Sequence, residues 1–134
     1  MKYKSGYRYV SQEEVLIDLP ESFASFSVTT EYAEIHDCKL KIMQKYAWDG
    51  ISFFIFTLFG TPDWGKVPSQ AHDALYQLHQ DGKLPLFMRE GSDRAFYYLL
   101  VERGCGIRAI VCHCAVRWFG NYFARHGRRV GEVV

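Results

Sequence analysis

His72-Asp73-Ala74-Leu75-Tyr76, with Asp93 in the segment that follows, is the set of residues in this chain whose types and spacing suit chemistry. An imidazole has an ordinary pKa near neutrality, and a carboxylate bonded to one of its nitrogens fixes the tautomer and aims the other nitrogen. Neighbouring helix positions diverge by about 100°, so His72 and Asp73 must serve different partners. If His72 faces the helix that carries Asp93, the pair can take a proton from water, and Tyr76, one turn along, adds a hydroxyl. Asp73 then faces a Gly- and Pro-rich loop whose oxygens suit a hard cation, calcium or another divalent ion, able to polarise an ester carbonyl. The chemistry implied is water-mediated ester hydrolysis, and no G-x-S-x-G nucleophile turn is present to suggest another route.

The bland reading stands beside each of these. His72 can be a satisfied helix histidine, Asp93 a carboxylate favoured by a helix N-terminus, and Tyr76 a core residue with its hydroxyl bonded. Asp49, before Gly50, is either a turn residue or a further metal ligand. Trp48, Phe54 and Trp64 are read as core or as the rim of a substrate entrance, beside the apolar run 51–59. His79 is expected to be exposed, and His113 to be a packed histidine.

The elements that must position this group follow from periodicity. Short aromatic and β-branched runs at 7–10, 15–19, 23–30 and 32–35, then the alternating Lys39-Leu40-Lys41-Ile42-Met43, predict an antiparallel β meander with a turn at His36-Asp37-Cys38. Gly60, Pro62, Gly65 and Pro68 punctuate a loop. Pro68 suits a first helical turn, and Ala71, Ala74, Leu75 and Leu78 recur at helical spacing until Asp81-Gly82. Gly91-Ser92-Asp93 is read as opening a second helix, with Ser92 as N-cap and Phe96, Leu99 and Leu100 buried, and a third helix over about 107–125 is expected to bury Ile110, Val111, Cys114, Trp118 and Phe119. The expectation is one α+β domain, 1–134: β-rich over 1–50, loop over 51–66, helical over 67–126. An N-terminal antiparallel meander precedes three helices packed together, and the His/Asp site lies between the first two.

Bulk composition agrees with a single core. The chain has 134 residues, 49% of them hydrophobic and 16% aromatic, which argues for a densely packed globule and against disorder. Sixteen Lys and Arg against fifteen Asp and Glu leave a formal charge of +1, so nucleic acid is not an expected partner. The basic cluster of Arg125, His126, Arg128 and Arg129 is read as a solvated tail. The four cysteines, at 38, 105, 112 and 114, lack paired C-x-x-C spacing and are read as reduced and structural. No apolar signal region begins the chain, and the run 51–59 is about half the length a membrane span needs, so a cytoplasmic location is expected.

Two resemblances carry further expectations. Tyr46-Ala47-Trp48-Asp49-Gly50-Ile51-Ser52, His72-Asp73-Ala74-Leu75-Tyr76, Ser92-Asp93-Arg94-Ala95-Phe96 and Ala115-Val116-Arg117-Trp118-Phe119-Gly120 resemble, in order, the motifs of an uncharacterised domain family of bacteriophages and prophages. That resemblance implies a phage-type origin, a host-cell cytoplasmic location, and no particular activity. The central segment alone is similar to phospholipases A of the secretory and parvoviral type. It implies His72 as base, Asp73 as calcium ligand, Tyr76 as network hydroxyl and Asp93 as the residue that orients His72. The cysteine-rich calcium loop of the secretory enzymes is missing, and Ala71 stands where they place a disulfide cysteine.

Together these readings predict a small, metal-assisted ester hydrolase acting on a lipid or other ester. The alternatives are a non-catalytic phage accessory protein that binds a host protein, for example a defence component, and a phosphodiesterase that uses the same residues.

Overall fold

A computed structural model of the chain describes residues 9–48, 63–126 and 131–133. Among the described residues, seven short strands and three helices form the expected α+β arrangement. The strands are β1 (Tyr9–Val10), β2 (Val15–Asp18), β3 (Val28–Thr29), β4 (Ala33–His36), β5 (Lys39–Ile42), β6 (Tyr46–Trp48) and, after the helices, β7 (Gly131–Val133). The helices are α1 (Asp63–Gln80), α2 (Arg89–Glu102) and α3 (Gly106–His126).

β2 to β5 form one antiparallel sheet in the order β2-β5-β4-β3, in which β3, β4 and β5 are the expected meander and β2 lies beside β5. Period two decides its faces: Ile17, Ala33, Ile35, Leu40 and Ile42 point into the core, and the residues between them point outward. The β4–β5 hairpin closes on His36 and Lys39 through a two-residue loop, Asp37-Cys38. Both loop residues have positive φ, 53° and 58°, the geometry of a type I′ turn, whose twist matches that of the strands.

The second sheet, β1-β6-β7, was only partly foreseeable. β6 is buried at all three positions and pairs with both ends of the chain, Tyr9 opposite Trp48 and Gly131 opposite Trp48 from the other side. A three-residue strand beyond the basic cluster carries too little periodicity to register as a strand. The long run 23–30 is likewise mostly irregular: a 3-10 turn covers Glu21–Phe23, and only Val28–Thr29 pair.

The helices depart from expectation in three places. α1 begins at Asp63, so Pro68 stands inside it, and the loop ends sooner than its Gly and Pro residues suggest. The bond forfeited there is the one to the carbonyl of Trp64, in the first helical turn. α2 begins at Arg89 after a 3-10 turn at Leu86–Met88, so Gly91 and Ser92 are helix interior and Ser92 is no cap. Gly91 is there for proximity, since a Cβ would come within 3.3 Å of Phe23 and Ser22. α3 buries Ala109, Cys112 and part of Val116, together with Cys105 just before it, against Phe96 and Leu100 of α2, leaving Ile110, Val111 and Cys114 outward. Because α3 is apolar around most of its circumference, periodicity could not choose its buried face, whereas the small residues let α2 approach closely. The side chains of Trp118 and Phe119 lie outside the described residues.

α1 is the centre of the fold. Every residue from Pro68 to His79 is buried, between the strands on one side and α2 and α3 on the other. Ala71, Ala74, Leu75 and Leu78 fill the core with the sheet residues. At its end, Asp81 accepts from the Tyr32 hydroxyl at 2.7 Å and from Gln77 Nε2 at 3.0 Å, fastening the β half to the helical half. No helix among the described residues is long and apolar enough to cross a membrane.

Cys38 holds a left-handed conformation at a Cβ cost of roughly 1–2 kcal/mol. Cys38→Gly is expected to relieve part of it and to stabilise the protein by up to about 1 kcal/mol, read as a higher urea midpoint with unchanged slope.

Candidate active site

A helix buried from Pro68 to His79 that carries Ser69, Gln70, His72, Asp73, Gln77 and His79 places polar groups where water is scarce. Such groups must find partners, and on the side facing α2 they find them in Asp93 and Ser92. Asp93 has no exposed surface (0%). Its Oδ1 accepts from His72 Nε2 at 2.7 Å and from the Tyr76 hydroxyl at 2.7 Å. Its Oδ2 accepts from Arg117 Nη1 at 3.0 Å and from Arg89 Nη1 at 3.3 Å. All four donors thus converge on one carboxylate.

Three helices contribute. His72 and Tyr76 lie one turn apart on α1, with ring centroids 4.2 Å from each other, and Phe96 of α2 closes over His72 at 4.9 Å. Arg89, one turn before Asp93 on α2, also donates to the Tyr76 oxygen (3.2 Å) and to the α3 carbonyls of Val116 (3.2 Å) and Arg117 (3.4 Å). Arg117 enters from α3 and is a third exposed (33%), whereas the His72 side chain retains 10%.

Hydrogen-bond roles follow from the acceptors. A carboxylate only accepts, so His72 Nε2 carries the proton, and in the neutral ring Nδ1 presents a lone pair. Nδ1 has no hydrogen-bond partner among the described residues. Burial alone would push the Asp93 carboxyl up, but the hydrogen bond and charge of His72, the Tyr76 hydroxyl and the Arg89 charge outweigh it and hold the acid below the usual carboxylate range. Burial, then the Asp93 charge and its hydrogen bond, push the Tyr76 hydroxyl well above its ordinary value, so Tyr76 donates and does not ionise.

His79, expected at the surface, is 5% exposed. Its Nδ1 lies 3.3 Å from the Leu84 carbonyl and its Nε2 2.9 Å from Ser92 Oγ. The carbonyl requires a proton on Nδ1, so Nε2 accepts from Ser92, whose hydroxyl is used here and not at a helix cap. Burial pushes the His79 ring down to about 4 and keeps it neutral.

The remaining expected residues are placed differently. Asp73 is buried on α1 beside His72. Asp49 and Phe54 lie outside the described residues. Trp64 is in the first turn of α1, with its side chain outside the described part. Trp48, read as core or rim, is 7% exposed and donates its indole N–H to Ser69 at 3.1 Å. Among the described residues no group of three or more His, Cys, Asp or Glu side chains that could hold a metal ion comes together.

Arg89 and Arg117 were not anticipated as members of the group. Arg117 lies in the Ala115-Val116-Arg117-Trp118-Phe119-Gly120 run, and Arg89 is four residues before Asp93, the spacing of an intrahelical ion pair. The chain matches no protein-family model, no curated protein and no solved structure, so both resemblances rest on the quoted residues alone.

Two outcomes are expected. Asp93→Asn leaves two guanidinium groups facing a neutral amide and should cost roughly 3–5 kcal/mol of stability, measured by urea unfolding at neutral pH. The His79 ring, near 4 when folded and near 6.5 when unfolded, binds more protons in the unfolded state between those values. Stability should therefore fall on acidification from about pH 6.5 to about 4, by on the order of 3 kcal/mol. His79→Gln should flatten that segment of the profile. The Asp93 contribution, whose folded pKa is depressed, should persist through this window and disappear only as pH falls below the ordinary carboxylate range.

Proposed function

We propose that this chain is a hydrolase that cleaves a carboxylic ester by general-base activation of water at His72 Nδ1. The observation that carries the reading is the division of labour on the ring. Nε2 is committed at 2.7 Å to a fully buried, ionised Asp93, and the opposite nitrogen is left as an unpartnered lone pair among the described residues. A water bound at Nδ1 gives up its proton as its oxygen attacks the ester carbonyl, and the imidazolium formed is held by Asp93. The proton then passes to the departing alkoxide as the tetrahedral intermediate collapses. Tyr76 shares Oδ1 with the ring and keeps the carboxylate from turning, while Arg89 and Arg117 occupy Oδ2. This connectivity of base, orienting acid and network hydroxyl is the one the phospholipase A resemblance implies. A phospholipid substrate rests on that resemblance, and no step is routed through a cation.

A second reading is favoured by Arg89, which bonds Tyr76, Asp93 and two α3 carbonyls and so clamps three helices. In that reading the group is a fold clamp and the chain is a binding protein without catalysis.

One experiment separates the two. Hydrolysis of p-nitrophenyl butyrate and of phosphatidylcholine vesicles is followed with the purified chain and with His72→Gln, which retains an N–H donor for Asp93 but has no base. With catalysis at His72, kcat falls by about 100-fold or more while the thermal midpoint changes little. Activity equal to the parent, or none in either protein with calcium or with EDTA, leaves the clamp. Loss of activity on chelation alone, restored by calcium and abolished in Asp73→Asn, would add a cation to the mechanism.

A further inference from the structure

Most of the large apolar side chains exposed among the described residues lie on one face of the helical hairpin made by α2 and α3. Tyr98 and Val101 come from α2, and Ile107, Ile110 and Val111 from α3; Ile107 is 79% exposed and the other four about half. Together they present on the order of 500 Å² of apolar surface, at the upper end of what a monomer shows, and faces of that size mark a contact with another molecule. None of the five bonds His72 or Asp93, so the candidate active site is not part of this face.

The order of residues along the face says which molecule. On α3 the exposed stripe reads the same from either end, with Ile107 and Cys114 outermost and Ile110 and Val111 inside them. Turning the helix over about a point between 110 and 111 therefore lays apolar positions on apolar positions. On α2, Arg94, Tyr98 and Glu102 are all exposed and occupy successive turns. Reversal about Tyr98 sets the arginine of one copy against the glutamate of the other, twice in each pair. Along their own helix Arg94 and Glu102 are about 12 Å apart and do not meet. Within its own copy Arg94 reaches Glu90 at 3.4 Å, an exposed contact that a second carboxylate can join.

The two centres of reversal lie level with each other. Tyr98 and Ile110 line one open cavity of about 280 Å³ between the helices, so a single two-fold axis serves both. Cys114 stands at the edge of that cavity, and the same axis brings the Ile107 of a second copy over it, a knob above a hole. With Arg94, Glu102, Arg103 and Arg108 exposed around the apolar centre, the face reaches roughly 800 Å² per copy, the size of a standard interface.

We propose that the outward face of α2 and α3 is the contact of a symmetric dimer of this chain. Its two-fold axis crosses the helices at right angles between Ile110 and Val111, and each helix packs antiparallel against its own copy. The contact does not depend on the chemistry of His72.

Sedimentation equilibrium of the full chain should show a reversible dimer that dominates above about 10 µM. Ile107→Lys should weaken it about 100-fold or more and leave the fold intact, because the side chain is exposed within one copy. Arg94→Glu and Glu102→Arg should each weaken the dimer about tenfold, and the double exchange should restore it. Mild oxidation of Ile107→Cys should link two copies through the native Cys114, and a further Cys114→Ser should abolish the link. The parent should not be linked, since its two Cys114 residues lie on opposite sides of the axis. The proposal is overturned by a dimer indifferent to Ile107→Lys, by a double exchange that fails to restore association, or by a parent linked from Cys114 to Cys114. A monomer at about 100 µM overturns it as well. Lower thermal stability of Ile107→Lys would then place a segment of the same chain on the face, and Ile107-dependent binding to phosphatidylglycerol vesicles would make it a lipid surface.

Discussion

A carboxylate with no contact with water is the constraint around which the helical half is arranged. An uncompensated charge at Asp93 would cost several kcal/mol, more than one good packing contact returns. Compensation arrives from α1 through His72 and Tyr76, from α2 through Arg89 and from α3 through Arg117. No single helix could supply it, so the carboxylate is satisfied only when all three have docked. Packing of apolar faces, which tolerates sliding and rotation, is thereby made to choose one arrangement. Arg89 tightens the choice by reaching past Asp93 to the carbonyls of Val116 and Arg117, which sets the axial position of α3.

The same economy explains the polar load of α1. A helix enclosed on every side would ordinarily be aliphatic all round. Here the strand side is aliphatic through Ala71, Ala74, Leu75 and Leu78, while the α2 side carries two histidines and a tyrosine. Each histidine has an assigned tautomer because each faces one group that can only accept, the Asp93 carboxylate for His72 and the Leu84 carbonyl for His79. The two differ in what is left over. His79 spends its second nitrogen on Ser92, and among the described residues His72 does not spend its own. The proposed role of His72 in proton transfer rests on that difference.

How much of this was legible in the chain can be argued residue by residue. His72 and Tyr76 on one stripe follow from helical spacing, and the reach to Asp93 follows from a second amphipathic segment across a Gly-containing turn. The β4–β5 hairpin was legible from alternation on both sides of Asp37-Cys38. Arg89 and Arg117 were not, because an arginine in a helical pattern ordinarily reads as a solvated face. Neither was the exposure of Ile110 and Val111, since a helix apolar around its circumference offers several faces of nearly equal merit. Small residues at Ala109 and Cys112, where backbones can come close, decide between them.

The amino-acid order by itself determined the local matters: the period of each strand, the phase of each helix, and the presence of an imidazole, a hydroxyl and a carboxylate in the order a proton relay needs. These depend on neighbours a few positions apart, whose geometry is nearly independent of the rest of the chain. Only the tertiary structure decided which nitrogen of His72 meets Asp93, that two guanidiniums neutralise the other oxygen, and that the last strand returns to β6. Those outcomes join residues remote along the chain, and they turn on small differences among competing packings that no local pattern records.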